Sequence, residues 1–241
     1  MKTEHLKKLL LLTLVAVFLV SLASCAAAQP KPKSYTEEET GAWTARCIAD
    51  YAALYRKDAM HFTKIHTYKT EKSERVLSEA QIWFCGDDYL KEDIDHREIR
   101  EHVVTKDGVG YIMMADKDDG EVWNPVVSDP YYYFSRHESK WEDRGYTFRS
   151  IEGTEKETKV TFYWDLGHEN CTSSARTFHL EFCYQADTLS RIVFKQTAYS
   201  GTVIDPEKLH SVITFEYIFH STGEGEIIEK IDAAYQKASG K

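Results

Sequence analysis

Positive charge is scarce in this sequence of 241 residues, which has 30 Lys and Arg against 39 Asp and Glu and a formal net charge of −9. Residues 1–24 contain three lysines and one glutamate, so the remainder carries a formal charge of −11. Nucleic-acid binding needs a basic stripe, and electrostatic adhesion to an anionic membrane needs a basic patch. The acidic body therefore argues against both kinds of partner.

Motifs that mark a catalytic or metal centre are absent. The sequence has no Cys-x-x-Cys pair, no His-Glu-x-x-His, no Gly-x-Ser-x-Gly and no glycine-rich phosphate loop. His61 and His66 are five residues apart and His96 and His102 are six apart, and neither spacing is typical of zinc ligands. We therefore predict no catalytic residue, no metal and no cofactor, and a hydrolase with an unrecognised site stays open as an alternative.

The N-terminus has the order of a secretory signal, with a lysine-bearing start followed by an uncharged apolar run over residues 9–22. The run leads into the tetrapeptide LASC, which ends at Cys25 and resembles the lipobox of bacterial lipoproteins. The resemblance implies that residues 1–24 are a removable signal peptide and that Cys25 carries a diacylglyceryl anchor. Two acyl chains hold a protein stably on a membrane, whereas one holds it marginally. An uncleaved signal anchor and a chance thiol are the alternatives.

Residues 25–35 follow as a short segment of alanine, glutamine, proline and lysine, a composition that cannot build a core. We interpret it as a lipidated tether for a single extracytoplasmic domain over residues 36–241. The lysines that precede the apolar run keep that end in the cytoplasm. The predicted location is the cell membrane, where the lipid on Cys25 holds the domain outside the cytoplasm.

Four cysteines lie beyond the anchor, and they allow three pairings among which the sequence does not choose. An exported chain favours two disulfides. Four free thiols are the expectation if the organism lives without oxygen. The candidate residues are Cys47, Cys85, Cys171 and Cys183.

Three helices are predicted. Residues 35–57 have Thr36 and Glu39 in the positions of a capping box, with apolar residues at helical spacing behind them. A short helix is predicted within residues 131–143, as an insert, and a last helix over residues 226–237. The predicted apolar side of the last helix consists of Ile227, Ile228, Ile231 and Tyr235.

Between these helices apolar residues recur at every second position, which is the period of half-buried strands. Asp107-Gly108 predicts a tight hairpin. Short turns between successive strands favour an antiparallel meander, and a large sheet of this kind twists and curls. The predicted fold class is α+β: a curled antiparallel sheet of about eight strands, an incomplete barrel, covered by the N-terminal, insert and C-terminal helices.

The order of elements over residues 36–241 resembles the lipoprotein-carrier superfamily typified by LolA, LolB and LppX. The segments IWFCGDDYLKED (82–93) and VVTKDGVGYIMM (103–114) are similar to a stretch of that group in which a strand, a glycine-containing turn and an Asp-Gly hairpin succeed each other. The resemblance implies an apolar cavity under a helical lid and a lipid or other hydrophobic ligand. The residues expected to contact this ligand are Trp164, Phe178, Leu180, Phe182, Phe194, Phe215, Tyr217 and Phe219.

The sequence thus predicts a membrane-anchored, non-enzymatic binding protein for a hydrophobic molecule. A filled core would need the same aromatic residues, because a sheet packed on helices buries them whether or not a ligand is present. A second interpretation is an interaction module on the cell surface, which would dock a partner protein through exposed aromatic residues or a sheet edge.

Overall fold

The computed structural model describes residues 33–53, 59–94, 99–116, 123–126, 147–154, 156–166 and 174–240. Apart from Lys33 these belong to one compact unit, Ser34–Lys241. The predicted signal peptide, the lipidation site Cys25, the insert helix within 131–143 and the candidate disulfide residue Cys171 lie outside the described residues.

Two α-helices flank a run of eleven strands along the chain. In the described part of the chain the helices are α1 (Glu37–Ala53) and α2 (Glu224–Ser239), and a 3-10 turn covers Pro206–Lys208. The strands are β1 (Met60–Lys69), β2 (Glu74–Cys85), β3 (Asp88–Asp93), β4 (Ile99–Lys106), β5 (Val109–Asp116), β6 (Trp123–Val126), β7 (Thr147–Gly153), β8 (Glu157–Leu166), β9 (Arg176–Gln185), β10 (Thr188–Tyr199) and β11 (Leu209–Phe219).

All eleven strands form one antiparallel sheet in the order β6-β5-β4-β3-β2-β1-β11-β10-β9-β8-β7. Two meanders, β1 to β6 and β7 to β11, are joined in the middle by the pairing of β1 with β11. Among the described strands β6 and β7 are the two edges, so the sheet is not closed. The antiparallel prediction is confirmed, whereas the predicted number of about eight strands is wrong.

The additional strands come from segments with few apolar residues. The sequence indicates a break at Gly86-Asp87-Asp88 within residues 79–90, and Gly86 adopts a left-handed conformation (φ 66°) there and turns the chain into the acidic strand β3. Pro125 favours a turn in the sequence, yet it lies in β6 opposite Tyr111. An edge strand tolerates proline because one side of its backbone needs no ladder hydrogen bond.

The predicted capping box at the start of α1 is confirmed. The backbone N–H of Glu39 donates to Thr36 Oγ1 (3.2 Å), and the backbone N–H of Thr36 donates to Glu39 Oε2 (2.8 Å). Each bond satisfies a backbone donor that has no partner within the helix. The helix begins two residues later than predicted, at Glu37.

Helix α2 is longer at both ends than the predicted 226–237. It ends at Ser239, and the capping residue Gly240 adopts the left-handed conformation (φ 68°) that suits glycine. Ile227 and Ile231 are fully buried, as predicted. Ile228, which the sequence places on the same apolar side, is 40% exposed. Ile228 is exposed because it is rotated by about 100° from Ile227 around the helix axis.

The two helices cover opposite faces of the sheet. Adjacent residues of a strand point to opposite faces, so Ile82 and Trp83 of β2 belong to different clusters. We name the side that carries Phe62, Ile82 and Phe182 the aromatic face, and α1 packs on it. We name the other side, where Trp83 packs against α2, the Trp83 face.

Candidate ligand-binding face

All eight residues predicted to contact a ligand lie on the aromatic face and belong to one apolar cluster. They come from four neighbouring strands, β8 to β11, whose register aligns them. Five of them are buried and three are partly buried. The buried residues are Phe178, Leu180, Phe182, Phe194 and Tyr217, and the partly buried residues are Trp164, Phe215 and Phe219.

Five rings form a continuous row across the aromatic face. Trp164 stacks on Phe178 with ring centroids 4.5 Å apart, and Phe178 lies 5.9 Å from Phe194. Phe194 lies 6.3 Å from Phe215, and Phe215 stacks on His66 at 4.4 Å. The aromatic row therefore crosses β8, β9, β10, β11 and β1. Each such contact stabilises the sheet by about 0.5–1.5 kcal/mol beyond simple burial.

Helix α1 packs on one end of the aromatic face. Tyr51 meets Phe182 edge-on at 6.3 Å, and Trp43 lies 4.9 Å from Tyr184 at the end of β9. Phe178, in the aromatic row, is four residues farther along the same strand, or about 13 Å away from Phe182. The row and the helix thus occupy different parts of one face.

A polar network fastens α1 to this end of the sheet. The Tyr184 hydroxyl donates to Asp50 Oδ2 (2.9 Å) and lies 3.5 Å from Cys47 Sγ. The Arg46 guanidinium lies 4.8 Å from the Tyr184 ring, pairs with Asp50 (3.7 Å) and donates to the carbonyl of Asp187. Burial raises the pKa of the Cys47 thiol to about 12, and burial also raises the pKa of the Tyr184 hydroxyl. Both groups stay protonated at neutral pH, and they position the helix.

Two residues of the aromatic face, Lys64 and His66, are not among the residues that the sequence predicted to contact a ligand. His66 ends the aromatic row on Phe215, and Lys64 Nζ lies 5.4 Å from the ring centres of both Phe215 and Tyr217. The signal was present in β1, where Lys64 and His66 share the two-residue period of Phe62. It escaped notice because the alternation of apolar residues in β1 is weak.

Three thiols are free in the structure: Cys47, Cys85 and Cys183. Cys47 lies on the aromatic face under α1, whereas Cys183 points to the Trp83 face, since it separates Phe182 from Tyr184 in β9. Cys85 and Cys183 lie on strands four positions apart in the sheet, about 19 Å. A disulfide needs Cα atoms within about 7 Å, so this fold does not bring Cys85 and Cys183 within reach of each other.

A pair of histidines lies on the Trp83 face, where β1 and β11 meet the start of α2. His61 stacks on Trp83 at 4.6 Å and lies 4.4 Å from His220. The Nδ1 atom of His61 is 2.7 Å from Thr222 Oγ1. Burial first, and then the positive charge of His220, lower the pKa of His61 to about 4. His61 is therefore neutral in the folded protein at physiological pH.

Lys230 of α2 also contacts this group of residues, since its Nζ lies 4.9 Å from the centre of the Trp83 ring and 3.0 Å from Glu92 Oε2.

Within the described part of the chain, no group of three or more His, Cys, Asp or Glu side chains is placed to share a metal ion. None of the helices in that part combines the length and apolarity required to cross a membrane.

No protein-family model matches this sequence, and no curated protein matches it. Among solved structures, a LolA superfamily protein from Nitrosomonas europaea is 9% identical with a TM-score of 0.28, over 75% of this chain and 96% of that one. A DUF1329 family protein from Desulfovibrio piger is 9% identical with a TM-score of 0.25, over 71% of this chain and 88% of that one. Both superpositions are weak, and neither identifies a ligand of this chain.

Proposed function

We propose that this chain is a membrane-anchored, non-enzymatic binding protein for a lipid or another hydrophobic molecule, which it holds on the aromatic face. The aromatic row supports this proposal most directly. It extends across five strands, or about 19 Å, which suits an extended acyl chain better than a compact solute. Trp164 and Phe215 remain partly exposed, so apolar ring surface is within reach of a ligand.

Neighbouring aromatic residues on opposite faces of β8 allow a matched test. Trp164 lies in the aromatic row, and Tyr163 points to the Trp83 face, where its ring meets His179 at 5.2 Å. Trp164→Ser is expected to weaken uptake of the neutral fluorescent probe N-phenyl-1-naphthylamine by about tenfold or more, because truncating a contact aromatic removes at least about 1.4 kcal/mol. Tyr163→Ser is expected to change the uptake less than twofold.

The measurement is a fluorescence titration on the full chain carrying Cys25→Ser, so that no acyl group of its own competes with the probe. Native mass spectrometry of the same protein should show a co-purified apolar molecule. Circular dichroism confirms that each variant is folded. If the parent chain takes up no probe and carries no apolar molecule, or if both serine variants bind it equally well, the proposal is wrong.

Two adjacent exposed residues favour the second candidate, a docking module for a partner protein. Val203 and Ile204, in the connection between β10 and β11, are 54% and 38% exposed. Exposed apolar side chains that cluster in this way can form a contact with another protein.

A hydrolase is a weaker candidate, because burial raises the pKa values of the Cys47 and Cys183 thiols and keeps them in the less nucleophilic protonated form.

Membrane attachment is proposed to occur through the lipid on Cys25, with the domain outside the cytoplasm. Cells that express the chain and are fed radioactive palmitate should yield a labelled protein in the membrane fraction. Cys25→Ser is expected to abolish the label, because acylation requires that thiol. Cys85→Ser, which removes a thiol of the folded domain, is the control and should leave the label unchanged. A label that survives Cys25→Ser would contradict the anchor.

A further inference from the structure

The aromatic face also carries cationic side chains. By the register of the sheet, four of them belong to this face. In the register of the sheet, Lys64 lies opposite Tyr217, Arg75 opposite Tyr68, Lys91 opposite Ile82, and Arg176 follows the parity of Phe178. The face is not free of acidic residues, since Asp93 lies opposite Ala80. What matters for a ligand is therefore where each cation lies relative to the aromatic row.

The four cationic side chains differ in their exposure to solvent. Lys91 is largely buried and pairs with Asp93 at 3.1 Å, so that these two charges offset each other. Arg75 and Arg176 are exposed, and they lie beyond the aromatic row at the end of the strands away from α1. Lys64 is the half-buried cation that lies directly among the rings, with Nζ 5.4 Å from the centres of Phe215 and Tyr217.

A lysine in this position meets two requirements of an amphiphilic ligand. Its ammonium has three N–H donors, so a contact with a neighbouring side chain leaves donors for an incoming acceptor. A charge among apolar rings interacts more strongly with an anion than the same charge in water does. An ammonium acts as a point charge and suits one small anion, whereas bidentate recognition of phosphate favours arginine.

We propose that the ligand is a single-chain fatty acid bound as its carboxylate, with the acyl chain on the aromatic row and the carboxylate at Lys64. This inference rests on the proposed function and names the chemical class that the aromatic face accepts. Under this proposal Lys64 is the residue that makes the protein bind acidic lipids more tightly than neutral ones. A neutral ester of the same chain length has equal apolar surface but offers no charge to the ammonium.

The test compares cis-parinaric acid with its methyl ester, both read by their own fluorescence, on the full chain carrying Cys25→Ser. The acid is expected to bind about tenfold more tightly than the ester, which is the effect of one charge-assisted contact in a partly desolvated site. Lys64→Met keeps the apolar stem of the side chain and should remove this preference while it leaves the affinity for the ester unchanged. Lys64→Arg keeps the charge and should retain the preference.

Lys195→Met is the matched control, because Lys195 is exposed on the other face of β10 and the substitution removes the same charge. It should change neither affinity. Equal affinities for acid and ester in the parent chain, or an equal loss of both in Lys64→Met, would overturn the assignment of Lys64 but leave the hydrophobic-binding proposal intact. Binding of neither probe would overturn both. Thermal melts show that the variants are folded, and if Lys64→Met does not fold, loss of the preference in Lys64→Arg overturns the assignment.

Discussion

Replacing Ile231 with aspartate is expected to lower the free energy of unfolding by about 4 kcal/mol or more. Ile231 lies on the inner side of α2, is 1% exposed, and packs in the cluster that contains Trp83, Leu90 and Val104. Truncating a buried isoleucine already costs about 2–5 kcal/mol, and the substitution adds an unpaired carboxylate in an apolar environment. Domains are stable by only about 5–15 kcal/mol, so most of the margin disappears.

The adjacent turn of the same helix supplies the control. Ile228→Asp makes the same chemical change at a position that is 40% exposed, and it should cost less than about 1 kcal/mol. Urea unfolding followed by circular dichroism and by tryptophan fluorescence measures both variants. Equal destabilisation by the two substitutions would show that α2 does not pack on the sheet through Ile231. The ion pairs Lys106–Asp232 and Lys230–Glu92 remain available in both proteins.

Acidification is expected to destabilise the protein through His61. The pKa of this histidine is about 4 in the folded protein and about 6.5 in an unfolded chain. Between these values the unfolded chain binds a proton that the folded protein does not, so stability falls as the pH falls from 6.5 towards 4. The stability that depends on neutral His61 is fully present above pH 6.5. The total loss is at most about 3–4 kcal/mol, and solvent screening at this partly exposed site reduces it.

The groups around His61 explain the sign. His220, which directly follows β11, and Lys230 of α2 oppose a positive charge on His61, and Trp83 and Thr222 add a ring and a hydroxyl. A proton on His61 is therefore repelled and poorly solvated. Acid should loosen the contact between α2 and the middle of the sheet first.

His61→Phe keeps a ring on Trp83 and removes the titrating group. Urea unfolding at several pH values between 4 and 7.5 is expected to show a shallower pH dependence for this variant than for the parent chain. His210→Phe, at an exposed position of β11, is the control and should keep the steeper dependence. Burial also lowers the pKa of His179, so some pH dependence remains in both variants. Equal slopes in all three proteins would contradict the assignment to His61.

Local signals in the sequence predicted several features correctly. The capping box of Thr36 and Glu39 forms between residues three apart, and Asp107 and Gly108 both have positive φ values (51° and 76°) in a two-residue hairpin. The two-residue period of β8 to β11 placed the eight aromatic and aliphatic candidates on one face. Such features need only neighbouring residues, so they are readable from a short window of sequence.

The strand count, the weakly alternating strands and the placement of Ile228 were not readable in this way. β3 is acidic and β6 contains Pro125, and each is a strand because a neighbouring strand supplies its hydrogen bonds. Ile228 is as apolar as Ile227, and only the packing of α2 on the sheet decides which of them is buried. Long-range pairing is a property of the folded chain and leaves little trace in local composition.

The sequence by itself determined an acidic chain, two flanking helices and an antiparallel sheet. It also determined the two-residue apolar period of the strands that contain Trp164, Phe178 and Phe215. Only the tertiary structure decided that β1 pairs with β11 and so joins the two meanders into one sheet. This pairing brings His66 and Lys64 beside Phe215. The physical reason is the separation along the chain. His66 and Phe215 are joined by cross-strand register alone, and that register arises when both strands bury their apolar sides on the same face.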